Sequence, residues 1–265
     1  MQRLLGKVAI VTGSTQGLGE GIARRLAREG AKIVVNGRSE EKGARVLAAL
    51  RELGAETMFV RADVGIKDEA TMLVARTAER FGRVDILINN AQAQTPYVET
   101  LDACNDAYIT RTLHSGLYGS LWTAQAAQPH MRAASGGRVV NFASLNGVFG
   151  ARYAAAYNVT KEAIRALTRT LANEWGVYGI TVNTLLPSGL SPAYEAFFEG
   201  DAIRAEASAK AIPMRRHGRA EDDIGSAVLG LVSDSGRFIT GQSLFVDGGQ
   251  NLLGLPQLHD IGTRQ

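Results

Sequence analysis

Short apolar runs and amphipathic stretches alternate along most of the chain. The run Val8-Ala9-Ile10-Val11 is rich in β-branched residues and closed by Thr12-Gly13, the pattern of a strand buried on both faces. Ile22, Ala23, Leu26 and Ala27 then recur at helical spacing opposite Arg24, Arg25, Arg28 and Glu29, and Gly30 ends the helix. The unit repeats as a strand over 33–35, a helix over 40–53, a strand over 57–60, a helix over 68–81 and a strand over 84–88. Parallel strands need a crossover, most simply a helix, so this alternation predicts an α/β fold with helices on both faces of a parallel sheet.

The second half continues in the same manner. A long helix is expected over 105–131, with Pro129 bending or ending its last turn. A strand over 138–142 follows, then a helix over 157–175 with Ile164, Leu167, Leu171 and Trp175 on one side, and a strand over 180–186. A helix over 221–232 and a strand over 243–246 bring the strand count to seven. Between 188 and 218 the pattern loosens around a helical piece over 201–210, as in a substrate loop or lid within a single domain spanning 1–265. The tail over 252–265 is expected to fray or to dock on another subunit.

Composition narrows the function classes. The chain has 265 residues, 45% hydrophobic and 21% charged, so a sizeable core is available. Its net charge of +3 comes from basic residues scattered among acids, which argues against nucleic-acid binding; Arg215, Arg216 and Arg219 around His217 read as a solvated loop. Cys104 is the only cysteine, so neither a disulfide framework nor a cysteine metal cluster is expected, and no metal site is read. The N-terminus enters the first strand without a signal region, and no apolar run suggests a membrane span; a cytoplasmic location is expected.

After the first strand stands Thr12-Gly13-Ser14-Thr15-Gln16-Gly17-Leu18-Gly19. Its glycines permit a tight turn and let backbone amides at a helix N-terminus approach a pyrophosphate. This Gly-x-x-x-Gly-x-Gly spacing resembles the short-chain dehydrogenase/reductase family, and the likeness runs from Lys7 to about Gly249. Further matches are Asp63-Val64, Asn89-Asn90-Ala91, Ser144, Tyr157-x-x-x-Lys161, Asn183 to Pro187, Thr240-Gly241 and Val246-Asp247-Gly248-Gly249. The resemblance implies a Rossmann-type, doubly wound sheet of mainly seven parallel strands and a nicotinamide cofactor. Gly13, Thr15, Gln16, Gly17, Leu18, Gly19, Asp63, Val64, Asn90, Ala91, Pro187 and Ser188 would hold it, with Asp63 at the adenine amino group.

At the end of the second strand, where NAD-preferring relatives carry an acid, stands Gly37. Without that acid a 2′-phosphate is not repelled, and Arg38 offers it a cationic fork, so Gly37-Arg38-Ser39 points to NADP(H), with NAD(H) as the alternative. Tyr157 and Lys161, four residues apart on a helix, share one face. A lysine cation stabilises tyrosinate, which makes Tyr157 a usable proton donor and acceptor, and by resemblance Lys161 also bonds the nicotinamide ribose. Ser144, thirteen residues before Tyr157, would hold the substrate carbonyl oxygen. The expected reaction interconverts a carbonyl and a secondary alcohol.

Three positions depart from the family pattern. Gly116 stands where an asparagine of the proton relay is usual, with His114 and Ser115 out of register and His114 read as a packing or surface residue; Gln92 and Ser188 replace usual glycines. These changes motivate an alternative, a cofactor-binding sensor or assembly subunit with little catalysis. Gln92, Tyr153, Tyr194, Phe197 and Phe198 are the candidate substrate pocket, and Arg204, Lys210, Arg215 and Arg216 could meet an anionic group. A 3-oxoacyl thioester would use both features, so the chain looks like the 3-oxoacyl carrier-protein reductases, with steroid, sugar and small cyclic ketones left open. Relatives are commonly tetramers or dimers, and Ala155, Ala156, Ala163 and Ala166 would permit close helix approach, so a homo-oligomer is expected.

Overall fold

The computed structural model describes residues 2–93, 100–190, 198 and 200–253. Seven parallel strands form one sheet in the order β3-β2-β1-β4-β5-β6-β7: β1 Val8–Val11, β2 Lys32–Gly37, β3 Thr57–Arg61, β4 Ile86–Asn89, β5 Gly137–Phe142, β6 Ile180–Pro187 and β7 Ser243–Val246. The strand order reverses between β1 and β4, and such a switch point leaves a crevice at the carboxyl ends of the two strands.

Side chains alternate across the pleat, so β1 feeds two cores. Ala9 and Val11 join Ile33, Val35, Ile22 and Leu26 on one face, the last two from α1 (Gly17–Arg28). Val8, Ile10 and Val34 meet the other face, with Leu73 and Val74 from α3 (Lys67–Phe81). Between these helices α2 (Glu40–Glu52) is capped by Ser39, whose Oγ accepts from the Lys42 amide. Both sheet faces are therefore covered, which is why the strands read as continuous apolar runs.

The expected long helix is divided. α4 (Asp106–Leu113), with Asn105 as its N-cap, passes into a π-helical turn at His114–Tyr118 and then into α5 (Gly119–Ala133). Pro129 lies inside α5 and does not end it. The carbonyl it leaves unbonded belongs to Gln125, which is exposed like Pro129 itself, so water can satisfy it. After β5 come a short helix, α6 (Leu145–Phe149), and α7 (Ala155–Trp175). The next helix is α8 (Ala202–Lys210). The expected helix over 221–232 resolves into a π-helical Ala220–Gly225 and α9 (Ser226–Val232).

Candidate active site

A cavity of about 420 Å³ lies at the carboxyl ends of β1, β2 and β4. Gly13, Thr15, Gln16, Gly17, Leu18, Gly19, Gly37, Arg38, Asp63, Val64, Asn90, Ala91 and Gln92 line it, joined by Asn36, Arg111, His114 and Ser115. The glycine turn is built for close approach. Gly13 has φ +62°, and a Cβ there would sit 2.9 Å from Ala91 Cα; one on Gly19 would sit 2.5 Å from the Gly13 carbonyl oxygen. Asn90 Nδ2 donates to the Thr12 and Gly13 carbonyls, so this side chain braces the turn as well as lining the cavity. Asn36 acts from the other side: Gly13 N donates to its Oδ1, while its Nδ2 donates to the carbonyls of Val60 and Ala62. Only its polarity within the apolar run of β2 could have flagged Asn36 in the sequence.

At the end of β2 the space beside Gly37 is taken by Thr15, whose Cγ2 lies 2.6 Å from where a Cβ would stand. Arg38 is largely exposed and its Nη1 lies 3.5 Å from Asp63 Oδ2. Asp63 also accepts from the Gly65 amide through Oδ1, a turn-forming contact made by the residue expected at the adenine. Ser39 caps α2 and is not among the cavity residues. Lys42, which sequence reasoning passed over, places Nζ 2.6 Å from Gln16 Oε1.

Ser144, Tyr157 and Lys161 stand outside that cavity, at the end of β5 and the first turns of α7. Ser144 is the N-cap of α6; its Oγ accepts from the Asn146 amide, which leaves the hydroxyl hydrogen available to a ligand. Lys161 is fully buried, and Nζ donates to the Phe142 carbonyl at 2.9 Å and lies 5.3 Å from the centre of the Tyr157 ring. Loss of hydration pushes the Lys161 ammonium down to about 7. A buried chain, Thr123 to Asn89 to Asn141 to Thr168, ties α5, β4, β5 and α7 behind the site at 2.8, 2.9 and 2.9 Å.

Gln92 follows β4. Its Nε2 donates to the Thr112 carbonyl and Ser115 Oγ, and its buried Oε1 has no hydrogen-bond partner among the described residues. Such an acceptor costs about 1–3 kcal/mol. A Cβ on Gly116 would come within 2.5 Å of that oxygen and of Thr160 Cγ2.

The remaining expected residues among those described stand outside the cavity lining. Pro187 ends β6 beside Val246, and Ser188 Oγ meets His217 Nδ1 at 3.2 Å, while His217 Nε2 meets Ser208 Oγ of α8 at 3.4 Å. Burial pushes the His217 imidazole down from its ordinary value. Tyr153 is 40% exposed and has φ +63°, and Phe198 is buried beneath the Arg204 guanidinium. Neither lines the cavity, and Tyr194 and Phe197 lie outside the described residues. His114, expected to pack or lie at the surface, lines the cavity and also makes a tilted ring contact with Tyr118 and an edge-on one with Trp122. Among the described residues no helix is long and apolar enough to cross a membrane.

Comparison with known proteins agrees with this geometry. Residues 13–251 match a family model described as enoyl-(acyl carrier protein) reductase. The chain is 35% identical to 7alpha-hydroxysteroid dehydrogenase of Clostridium sardiniense over 265 residues, covering all of both chains. It superposes on levodione reductase with a TM-score of 0.90 at 31% identity, covering 94% of this chain and 99% of that one. A gluconate 5-dehydrogenase from Burkholderia cenocepacia J2315, solved with NADP and tartrate, gives 0.87 at 33% identity over 94% and 97%. A switch-point cleft behind a glycine turn, matched over nearly the whole length of such relatives, establishes that the chain belongs to the short-chain dehydrogenase/reductase family of oxidoreductases.

Proposed function

We propose that the protein is an NADP(H)-preferring carbonyl reductase or secondary-alcohol dehydrogenase with Tyr157 as its proton donor and acceptor. The observation that carries this reading is the buried Lys161 ammonium, anchored on the Phe142 carbonyl two residues before Ser144 and 5.3 Å from the Tyr157 ring. The glycine turn fits a dinucleotide, because Gly13, Gly17 and Gly19 line the cavity and Cβ atoms on Gly13 and Gly19 would run into Ala91 and the Gly13 carbonyl and open the turn. When bound, the cofactor supplies or accepts the hydride.

The chain's own groups handle the proton and the oxygen. Ser144 donates its free hydroxyl hydrogen to the carbonyl oxygen, where negative charge grows during reduction. Tyr157 delivers the proton to that oxygen. Lys161 favours the tyrosinate left behind, and the anion in turn favours the lysine cation, so the two titrate as a coupled pair. At the other end Arg38, Ser39 and Lys42 would receive a 2′-phosphate, and Gly37, hemmed in by Thr15, leaves no room for the acid that would repel it.

Relatives named for a hydroxysteroid, levodione and gluconate support a ketone or secondary alcohol as the substrate class, with a 3-oxoacyl thioester among the candidates. The test is oxidation of NADPH and of NADH against a carbonyl panel, with Tyr157→Phe beside the native protein. NADPH preference and a loss of about 100-fold or more on Tyr157→Phe are expected. Equal use of NADH refutes the cofactor assignment. Tight NADPH binding with no Tyr157-dependent turnover identifies a cofactor-binding protein instead.

A further inference from the structure

Gln92 and Gly116 occupy one space. The Gln92 side chain leaves the end of β4, crosses the π-helical turn and reaches the point where Gly116 meets α7. Two contacts fix it, to the Thr112 carbonyl at 3.2 Å and to Ser115 Oγ at 3.0 Å. Its Oε1 then lies 2.5 Å from where a Cβ on Gly116 would be, and that same Cβ would stand 2.5 Å from Thr160 Cγ2. Thr160 is buried and immediately precedes Lys161. The π-turn, Gln92 and the catalytic turn of α7 are thus packed through a single point that tolerates no side chain at 116.

We propose that Gln92 is a positioning residue of the catalytic centre: its amide, seated in the space that Gly116 leaves open, fixes the π-turn against Thr160 and so sets Lys161 beside Tyr157. This proposal rests on the catalytic reading of Tyr157 and Lys161. Burial alone lowers the Lys161 ammonium, so a π-turn that shifts against Thr160 alters that burial and with it the Lys161 titration. A glutamine serving only to fill volume would be replaced by methionine without consequence, because the two side chains are similar in length and size.

The experiment compares Gln92→Met, Gly116→Ala and the double variant Gln92→Gly/Gly116→Ala with the native protein. Two readouts are used: carbonyl-reduction kinetics, and the titration of Lys161 followed by NMR of 13Cε-labelled lysine in the cofactor-free protein, assigned with Lys161→Arg. Gln92→Met is expected to keep its circular dichroism, to lose at least fivefold in kcat, and to shift the Lys161 titration by at least half a pH unit. Gly116→Ala is expected to lose more than tenfold, and the double variant to recover at least threefold over Gly116→Ala. A Gln92→Met protein with native kcat and native Lys161 titration overturns the proposal, as does a double variant no better than Gly116→Ala. Should the native protein reduce no carbonyl, the catalytic assignment fails while the lysine titration still decides whether Gln92 acts on Lys161.

Discussion

Replacing Lys161 with methionine is expected to stabilise the cofactor-free fold at acid and neutral pH while abolishing turnover. Lys161 is 3% exposed, and burial pushes its ammonium from an ordinary 10.5 to about 7. In the unfolded chain the group returns to its ordinary value. Between about pH 7 and 10.5 the unfolded state therefore binds more protons, and this group makes stability rise with pH across that window. Below about 7 both states are charged and the whole cost of burying the charge is present. At about 1.4 kcal/mol per pH unit the cost is about 5 kcal/mol there, falls to about 2 kcal/mol near pH 9 and vanishes above 10.5.

Methionine carries none of that cost, but it leaves the Phe142 carbonyl without its side-chain donor, an offset of about 1–3 kcal/mol. The net gain is then about 2–4 kcal/mol near pH 6 and close to zero near pH 9. In thermal terms each kcal/mol corresponds to about 2–4 °C in a protein of this size. Urea unfolding of the cofactor-free native and Lys161→Met proteins at about pH 6, 7.5 and 9 measures the difference by linear extrapolation. A variant no more stable than native near pH 6, or a gain that does not shrink toward pH 9, would refute the account of Lys161 as a buried charge held against its own hydration.

Other substitutions probe the rest of the framework. Ser135→Gly relieves an exposed non-glycine left-handed conformation at φ +57° and should raise stability by up to about 1 kcal/mol, read as a small rise in melting temperature. Asn141→Ala removes one of two partners from Asn89 Nδ2, which keeps the Ser120 carbonyl, and from Thr168 Oγ1, which keeps the Ile164 carbonyl, and should cost about 1–3 kcal/mol; an unchanged denaturation midpoint would show the chain of amides to be energetically idle. Gly37→Asp places a Cβ on Thr15 Cγ2, so it should weaken NADPH use tenfold or more without improving NADH, whereas pairing it with Thr15→Ser should release NADH use. Steady-state KM values for both cofactors decide that comparison.

The inner strands were legible because a strand covered on both faces is mostly apolar, as the four fully buried residues of β1 are, while the edge strands β3 and β7 are only partly buried. The π-turns at His114–Tyr118 and Ala220–Gly225 were not, since one extra residue in a helical turn barely disturbs a hydrophobic period of 3.6. Pro129 does not end its helix for a related reason: the sequence shows the missing amide, whereas only the fold shows that Gln125, whose carbonyl it abandons, is exposed. The glycine turn and the Tyr157–Lys161 pair announced themselves by local spacing. Asn36 and Lys42 did not, because their partners at Val60, Ala62 and Gln16 lie more than twenty residues away.

Gln92 and Gly116 carry this lesson furthest. Along the chain they stand as two separate departures from a motif, one adding a side chain near the cofactor and one removing a side chain from a helix, and each alone argues for a damaged site. In space they meet at one point, where the added carbonyl oxygen lies 2.5 Å from where the missing Cβ would be. Close-packed interiors tolerate substitutions that conserve volume far better than those that change it. The pair is therefore one exchange of volume between β4 and the π-turn, made against the same wall of α7, and it leaves Lys161 buried beside Tyr157 as the proposed reaction requires. Departures from a motif need to be judged against their neighbours in space before they are counted as losses.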